Sequence, residues 1–154
     1  MDSLDELKVS EDEKIIRYIL SPKHIDVESG ELIDNFITLR QEEDGVSCIR
    51  FEILGSKESA VADGNAFAEV YNRPKKNGQL PKNLQSLFGW GYWTANQILD
   101  LNRDIISLSV DPSRNCHVLI KFNVDGDCVK GLVKDASILE LFDMIQDVMR
   151  IEKV

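Results

Sequence analysis

The sequence predicts an α+β domain: a mostly antiparallel sheet with helices packed on one face, closed by a C-terminal β-hairpin and an amphipathic helix. Three observations carry this. Asp44-Gly45 and Asp125-Gly126 are tight-turn signals set between strand-like runs. Near the C-terminus Ile138, Leu141, Phe142, Ile145, Val148 and Met149 form one apolar stripe at helical spacing. A length of 154 residues at 43% hydrophobic suits a single core and no more.

Residues 1–9 read as an acidic lead-in, and residues 10–154 as the domain. Ser10-Glu-Asp-Glu13 has the form of a capping box, and Ile15, Ile16, Ile19 and Leu20 follow at helical spacing until Pro22. The expectation is a helix, with the β-branched content leaving a short strand open. Residues 23–34 form a polar loop around Ser29-Gly30. Asn35–Gln41 and Val46–Leu54 are strand candidates. In the second, Ile49, Phe51 and Ile53 alternate with Cys48, Arg50 and Glu52, as on a half-buried sheet.

Lys57–Asn72 is expected to be helical despite Gly64, which costs about 1 kcal/mol relative to Ala. Two prolines and a glycine make residues 73–82 a loop. Thr94-Ala-Asn-Gln97 is a second capping box, opening a short helix through Ile98 and Leu101. Asp104–Val110, Asn115–Val124 and Cys128–Lys134 read as strands, the last two a hairpin. Ser137-Ile-Leu-Glu140 is expected to cap the final helix.

The net charge of −9 is uneven. Residues 1–44 hold 13 acidic against 5 basic side chains, and the remainder 14 against 13. Such a distribution argues against a nucleic-acid partner and suits a basic protein. The start lacks a signal-peptide pattern and no apolar run approaches membrane-spanning length, so the expected location is the cytoplasm, with no membrane association. Three widely spaced cysteines, Cys48, Cys116 and Cys128, fit reduced thiols rather than a disulfide framework.

No cofactor or metal is expected. The acids around His24 lack HExxH or CxxC spacing, and Asp125 and Asp127 lack the rest of a calcium loop. Gly89-Trp-Gly-Tyr-Trp93 is not a phosphate loop, and Ser107 and Ser109 lack the Gly-x-Ser-x-Gly elbow. Two sets of residues remain. His24 and His117 could share acid and base roles in phosphodiester cleavage, with Arg40 or Lys121 neutralising the developing charge. A basic patch of Arg73, Lys75, Lys76 and Lys82, followed by Trp90, Tyr92 and Trp93, could anchor a partner, since Trp, Tyr and Arg are enriched in interface hot spots.

The stretches Arg17-Tyr-Ile-Leu-Ser-Pro-Lys-His24, Phe36-Ile-Thr-Leu-Arg40 with Val46-Ser47, and Asp111-Pro-Ser-Arg-Asn-Cys-His117 resemble an uncharacterised family of small bacterial proteins. They cover about a quarter of the chain. The resemblance implies a bacterial source and directs mutagenesis to Arg17, His24, Arg40, Asn115 and His117, but transfers no activity.

The reading put first is a protein that works by protein–protein binding, of the immunity, antitoxin or adaptor kind. The alternative is a small metal-independent enzyme acting on RNA or a nucleotide, with His24 and His117 as acid and base and Arg17 or Arg40 holding phosphate. The alternative requires that both imidazoles line one pocket.

Overall fold

A computed structural model describes residues 7–131 and 133–154. Most of the expected acidic lead-in, residues 1–6, and Leu132 within the expected third C-terminal strand lie outside the described residues. Among the described residues, seven strands and four helices follow in the order β1 (Lys14–Ser21), β2 (Val46–Arg50), α1 (Phe51–Leu54), α2 (Lys57–Asn72), β3 (Ser86–Thr94), α3 (Ala95–Leu99), β4 (Ile106–Asp111), β5 (Arg114–Val124), β6 (Asp127–Cys128), α4 (Ala136–Val148) and β7 (Arg150–Lys153). The sheet runs β4-β5-β2-β1-β3-β7, with short β6 beside β5, and every pairing is antiparallel. The α+β class and the antiparallel sheet are as expected.

The first element is a strand, not a helix. Ser10 and Glu13 do exchange hydrogen bonds, Ser10 N–H donating to Glu13 Oε2 at 3.1 Å and Glu13 N–H to the Ser10 carbonyl at 3.1 Å, but they close a turn. β1 then lies near the middle of the sheet and buries Ile15, Ile16, Ile19 and Leu20 completely. A strand buried on both faces shows no period-two alternation, and these four apolar positions imitate a helix.

Both faces of the sheet are covered, which corrects the expected one-sided packing. Ile15, Ile19, Val46, Cys48, Trp93, Val118, Ile120 and Phe122 point into a large core that receives α3 and α4. Ile16, Tyr18, Ile49 and Trp90 form a smaller cluster with α1 and α2. The amphipathic face of α4 enters the large core through Ile138, Leu141, Phe142 and Ile145, whereas Val148 is partly exposed. The cap of α4 is Asp135, whose carboxylate accepts from Ser137 N–H at 2.9 Å, two residues ahead of the expected position.

Three further expectations shift. Residues 35–41 are irregular rather than a strand: Ile37 N–H donates to Gln146 Oε1 and Arg40 N–H to Glu43 Oε1, so side chains replace a ladder. Phe36, Ile37 and Leu39 are nonetheless buried in the core. β2 stops at Arg50 and one helical turn follows, ended by Gly55 at φ 92°, where a residue without Cβ is favoured. β6 holds two residues, not the seven anticipated from Cys128 to Lys134.

The Gly89-Trp-Gly-Tyr-Trp93 stretch, for which no element was expected, lies in β3, which pairs with β1 along eight positions and with β7 on its other side. A Cβ on Gly89 would run into the Glu152 carbonyl and one on Gly91 into the Met149 side chain. The glycines thus admit the C-terminal segment to close contact. Gly64 does the same for α2, whose backbone lies against Leu87 and Tyr18.

Two polar fixtures hold the framework. Buried Arg50 reaches Glu13 through Nε at 2.6 Å and Nη2 at 3.1 Å, and also donates to the Lys8 and Asn115 carbonyls. Trp93 Nε1 donates to the Ile145 carbonyl at 2.8 Å, tying β3 to the last turn of α4.

Candidate functional site

The ladder between β1 and β2 covers two positions, Ile15 opposite Arg50 and Ile16 opposite Ile49, and then stops. Beyond it the strands part, although β1 continues to pair with β3 and β2 with β5. The Arg17 guanidinium spans the gap and donates from Nη1 to the Ser47 carbonyl at 2.6 Å. A cavity of about 770 Å³ opens at this split. Because the sheet is open here, the cavity draws walls from both faces: the 33–43 loop on one side, α2 on the other, and β1, β2 and β5 between them.

His24 and His117 both line this cavity. Four arginines, Arg17, Arg40, Arg73 and Arg114, line it too, against two carboxylates, Asp63 and Glu43. A chain of net charge −9 therefore encloses a locally cationic hollow. Its apolar wall comes from Phe67, Val70 and Tyr71 of α2 and from Phe36. Phe67 and Tyr71 are edge-to-face at 5.4 Å, and the Arg17 guanidinium lies 5.2 Å from the centroid of the Phe36 ring.

His24 is held by its own turn. Its N–H donates to the Leu20 carbonyl at 2.8 Å, and its Nδ1 accepts from Leu20 N–H at 2.9 Å. The ring is buried edge-on against Phe36. Burial, with Arg17, Lys23 and Arg40 nearby, pushes its pKa down to about 4. With Nδ1 accepting, the neutral ring carries its proton on Nε2. At neutral pH His24 is thus a hydrogen-bond donor without charge.

His117 stands on β5 with Ile49 opposite it across the β2–β5 ladder, and Ser47 is its diagonal neighbour on the same face. Its Nε2 meets Ser47 Oγ at 2.5 Å. On the other side of the ring, Nδ1 lies 4.0 Å from Asp111 Oδ2. Burial and Arg114 lower the His117 pKa, with Asp111 and Asp63 opposing them. Asp111 is itself held low by hydrogen bonds from the Ser113 hydroxyl and N–H, both to Oδ1. A second network joins Tyr18, whose hydroxyl donates to Asp63 at 2.7 Å, to Arg114, which reaches the same carboxylate at 3.0 Å.

The other expected site residues scatter. Lys121 pairs with Asp44 at 3.8 Å, away from the cavity lining. Asn115 offers its carbonyl to Arg50. Arg73 lines the cavity, while Lys75, Lys76 and Lys82 occupy the exposed loop that follows α2. Trp90 and Trp93 are fully buried on opposite faces of β3, and Tyr92 is half-buried beneath Lys14. The expected cluster of exposed aromatics beside the basic loop is therefore absent, because these rings fill cores.

Sequence reasoning missed Ser47, Asp111 and Arg114 as site residues, together with the α2 wall. Asp111 lies six residues before His117 across a tight β4–β5 turn, a signal that was available. The Ser47–His117 contact depends on strand register and was not. Among the described residues, no three His, Cys, Asp or Glu side chains gather as a metal site, and no helix is long and apolar enough to cross a membrane. All three cysteines are free, and burial pushes the Cys48 thiol up to about 12. No family model, curated protein or solved structure matches the chain.

Proposed function

We propose that this protein is an enzyme acting on a nucleotide or a closely related phosphate-bearing small molecule, bound in the cavity between β1 and β2. The observation that carries the reading is the convergence of both histidines and four arginines on one hollow in an otherwise acidic chain. Its volume of about 770 Å³ falls within the range of small-ligand sites. Arg40 and Arg73 present guanidinium groups from exposed positions at the rim, suited to bidentate recognition of phosphate. Phe67 and Tyr71 supply an aromatic wall for a base.

In this reading the two imidazoles have different duties. His117, lowered in pKa and bonded to a hydroxyl, is suited to accept a proton. Neutral His24 donates from Nε2 to an oxygen of the bound ligand. The docking reading counted Trp90 and Trp93 among its anchors, and both rings are buried.

Isothermal titration with nucleoside mono-, di- and triphosphates, and inorganic phosphate as control, tests the proposal. Saturable binding of at least one nucleotide is expected, weakened about tenfold in Arg40→Ala and again in Arg73→Ala, as for loss of one charge-assisted hydrogen bond. Absence of saturable binding across the whole panel would overturn it.

A further inference from the structure

We propose that Ser47 is a nucleophile, activated by His117 with Asp111 as the positioning residue behind it. This rests on the reading of the cavity as a phosphate-ester site, and adds a covalent step. Ser47 is an exposed strand residue whose side chain opens into the cavity. Its Oγ and His117 Nε2 are in hydrogen-bond contact, and the Asp111 carboxylate faces the opposite nitrogen of the same ring. Ser113 occupies Oδ1 of Asp111 through two hydrogen bonds, which leaves Oδ2 as the oxygen directed at Nδ1. A carboxylate beside Nδ1 favours the tautomer protonated there, and Nε2 is then the acceptor for the serine proton. The 4.0 Å separation is longer than a hydrogen bond and is of the kind that tightens when substrate binds.

Hydroxyl, imidazole and carboxylate in this order form the activated-nucleophile arrangement that recurs on unrelated folds. Here it is built on three adjacent strands, β2, β5 and β4, rather than on a strand-to-helix elbow. The Ser47 carbonyl faces the split, where the Arg17 side chain meets it in place of a strand partner, so stabilisation of developing negative charge is assigned to side chains. The Arg17 guanidinium, fixed on the Ser47 carbonyl, and Arg114, which also lines the cavity, supply it.

The step balances with water as co-reactant. Ser47 Oγ forms a bond to phosphorus as its proton passes to His117 Nε2, and the bond from phosphorus to the leaving oxygen breaks. That oxygen takes the proton from His117. Water then gives a proton to His117 and attacks phosphorus, and the Oγ–phosphorus bond breaks. Ser47 recovers its proton from the imidazolium. The products are an alcohol or shorter phosphate and a free phosphate group.

The test is reaction of the full chain with an alkyl fluorophosphonate, read by intact mass and peptide mapping, with nucleotide titration run on the same samples. One adduct at Ser47 is expected, absent in Ser47→Ala and slowed about 100-fold or more in His117→Gln. Asp111→Asn, which removes the charge that raises the His117 pKa, is expected to move the acid limb of the labelling rate to lower pH. A merely structural loss would not shift that limb. Nucleotide binding without an adduct, or an adduct unaffected by His117→Gln, overturns the nucleophile while leaving the cavity reading intact. An adduct without nucleotide binding overturns the substrate class and upholds the nucleophile. Neither adduct nor binding overturns both.

Discussion

Replacing His24 by Asn isolates the electrostatics of the buried end of the cavity. Asn Oδ1 stands close to where imidazole Nδ1 stood and can accept from Leu20 N–H, so the turn keeps its hydrogen bond while losing its titration. In the native protein the His24 pKa is pushed down to about 4, mainly by burial. In the unfolded chain it returns to about 6.5. Below that value the unfolded state binds a proton that the native state refuses. The stability held in the neutral ring is therefore complete above the unfolded pKa and drains away as pH falls toward the folded one. Between roughly pH 7.5 and pH 5, linkage gives a loss of about 2 kcal/mol from this residue alone.

Urea titrations followed by tryptophan fluorescence measure this, since Trp90 and Trp93 are both buried. With an m-value of about 2 kcal/mol per molar, the wild-type midpoint should fall by about 1 M more than the His24→Asn midpoint over that pH range. His117 and the carboxylates titrate in both proteins and cancel in the comparison. Equal loss of stability in the two proteins would refute the argument that His24 is held neutral by its surroundings.

Two further perturbations probe the framework. Arg50→Met leaves the buried Glu13 carboxylate without its guanidinium, and about 3–5 kcal/mol of stability should be lost in chemical denaturation. The double variant with Glu13→Leu should recover part of this, and strictly additive losses would contradict the pairing. Gly89→Ala places a methyl group against the Glu152 carbonyl, and should cost about 1–3 kcal/mol. Its signature is faster amide exchange over Arg150–Lys153, and an unchanged exchange pattern there would count against β7 being seated by that glycine.

Much of the local structure was legible because it is encoded in short range. The Thr94–Gln97 capping box opens α3 as expected, and Lys57–Asn72 is helical over the anticipated span. The Ile138–Ile145 stripe faces the core, and the turn at Asp125-Gly126 joins β5 to β6. Each depends on residues within a few positions of one another, where backbone hydrogen bonding and side-chain periodicity act directly. The errors share a different cause. β1 lost its alternation because both its faces are buried, and β3 was hidden by glycines whose purpose is contact with a segment some 60 residues later.

The candidate site divides along the same line. His24, His117, Arg40 and Arg17 could be singled out in the sequence as residues able to handle protons and phosphate. That they line one hollow follows from where the β1–β2 ladder ends, a matter of long-range register. Ser47 becomes a partner of His117 because β2 pairs with β5 in the register that sets Ile49 opposite His117. Residue chemistry and local turns were the property of the chain alone. The parting of two strands, the burial that lowers the His24 pKa and the meeting of hydroxyl, imidazole and carboxylate were decided by tertiary packing, because solvation and distance exist only once the chain has closed on itself.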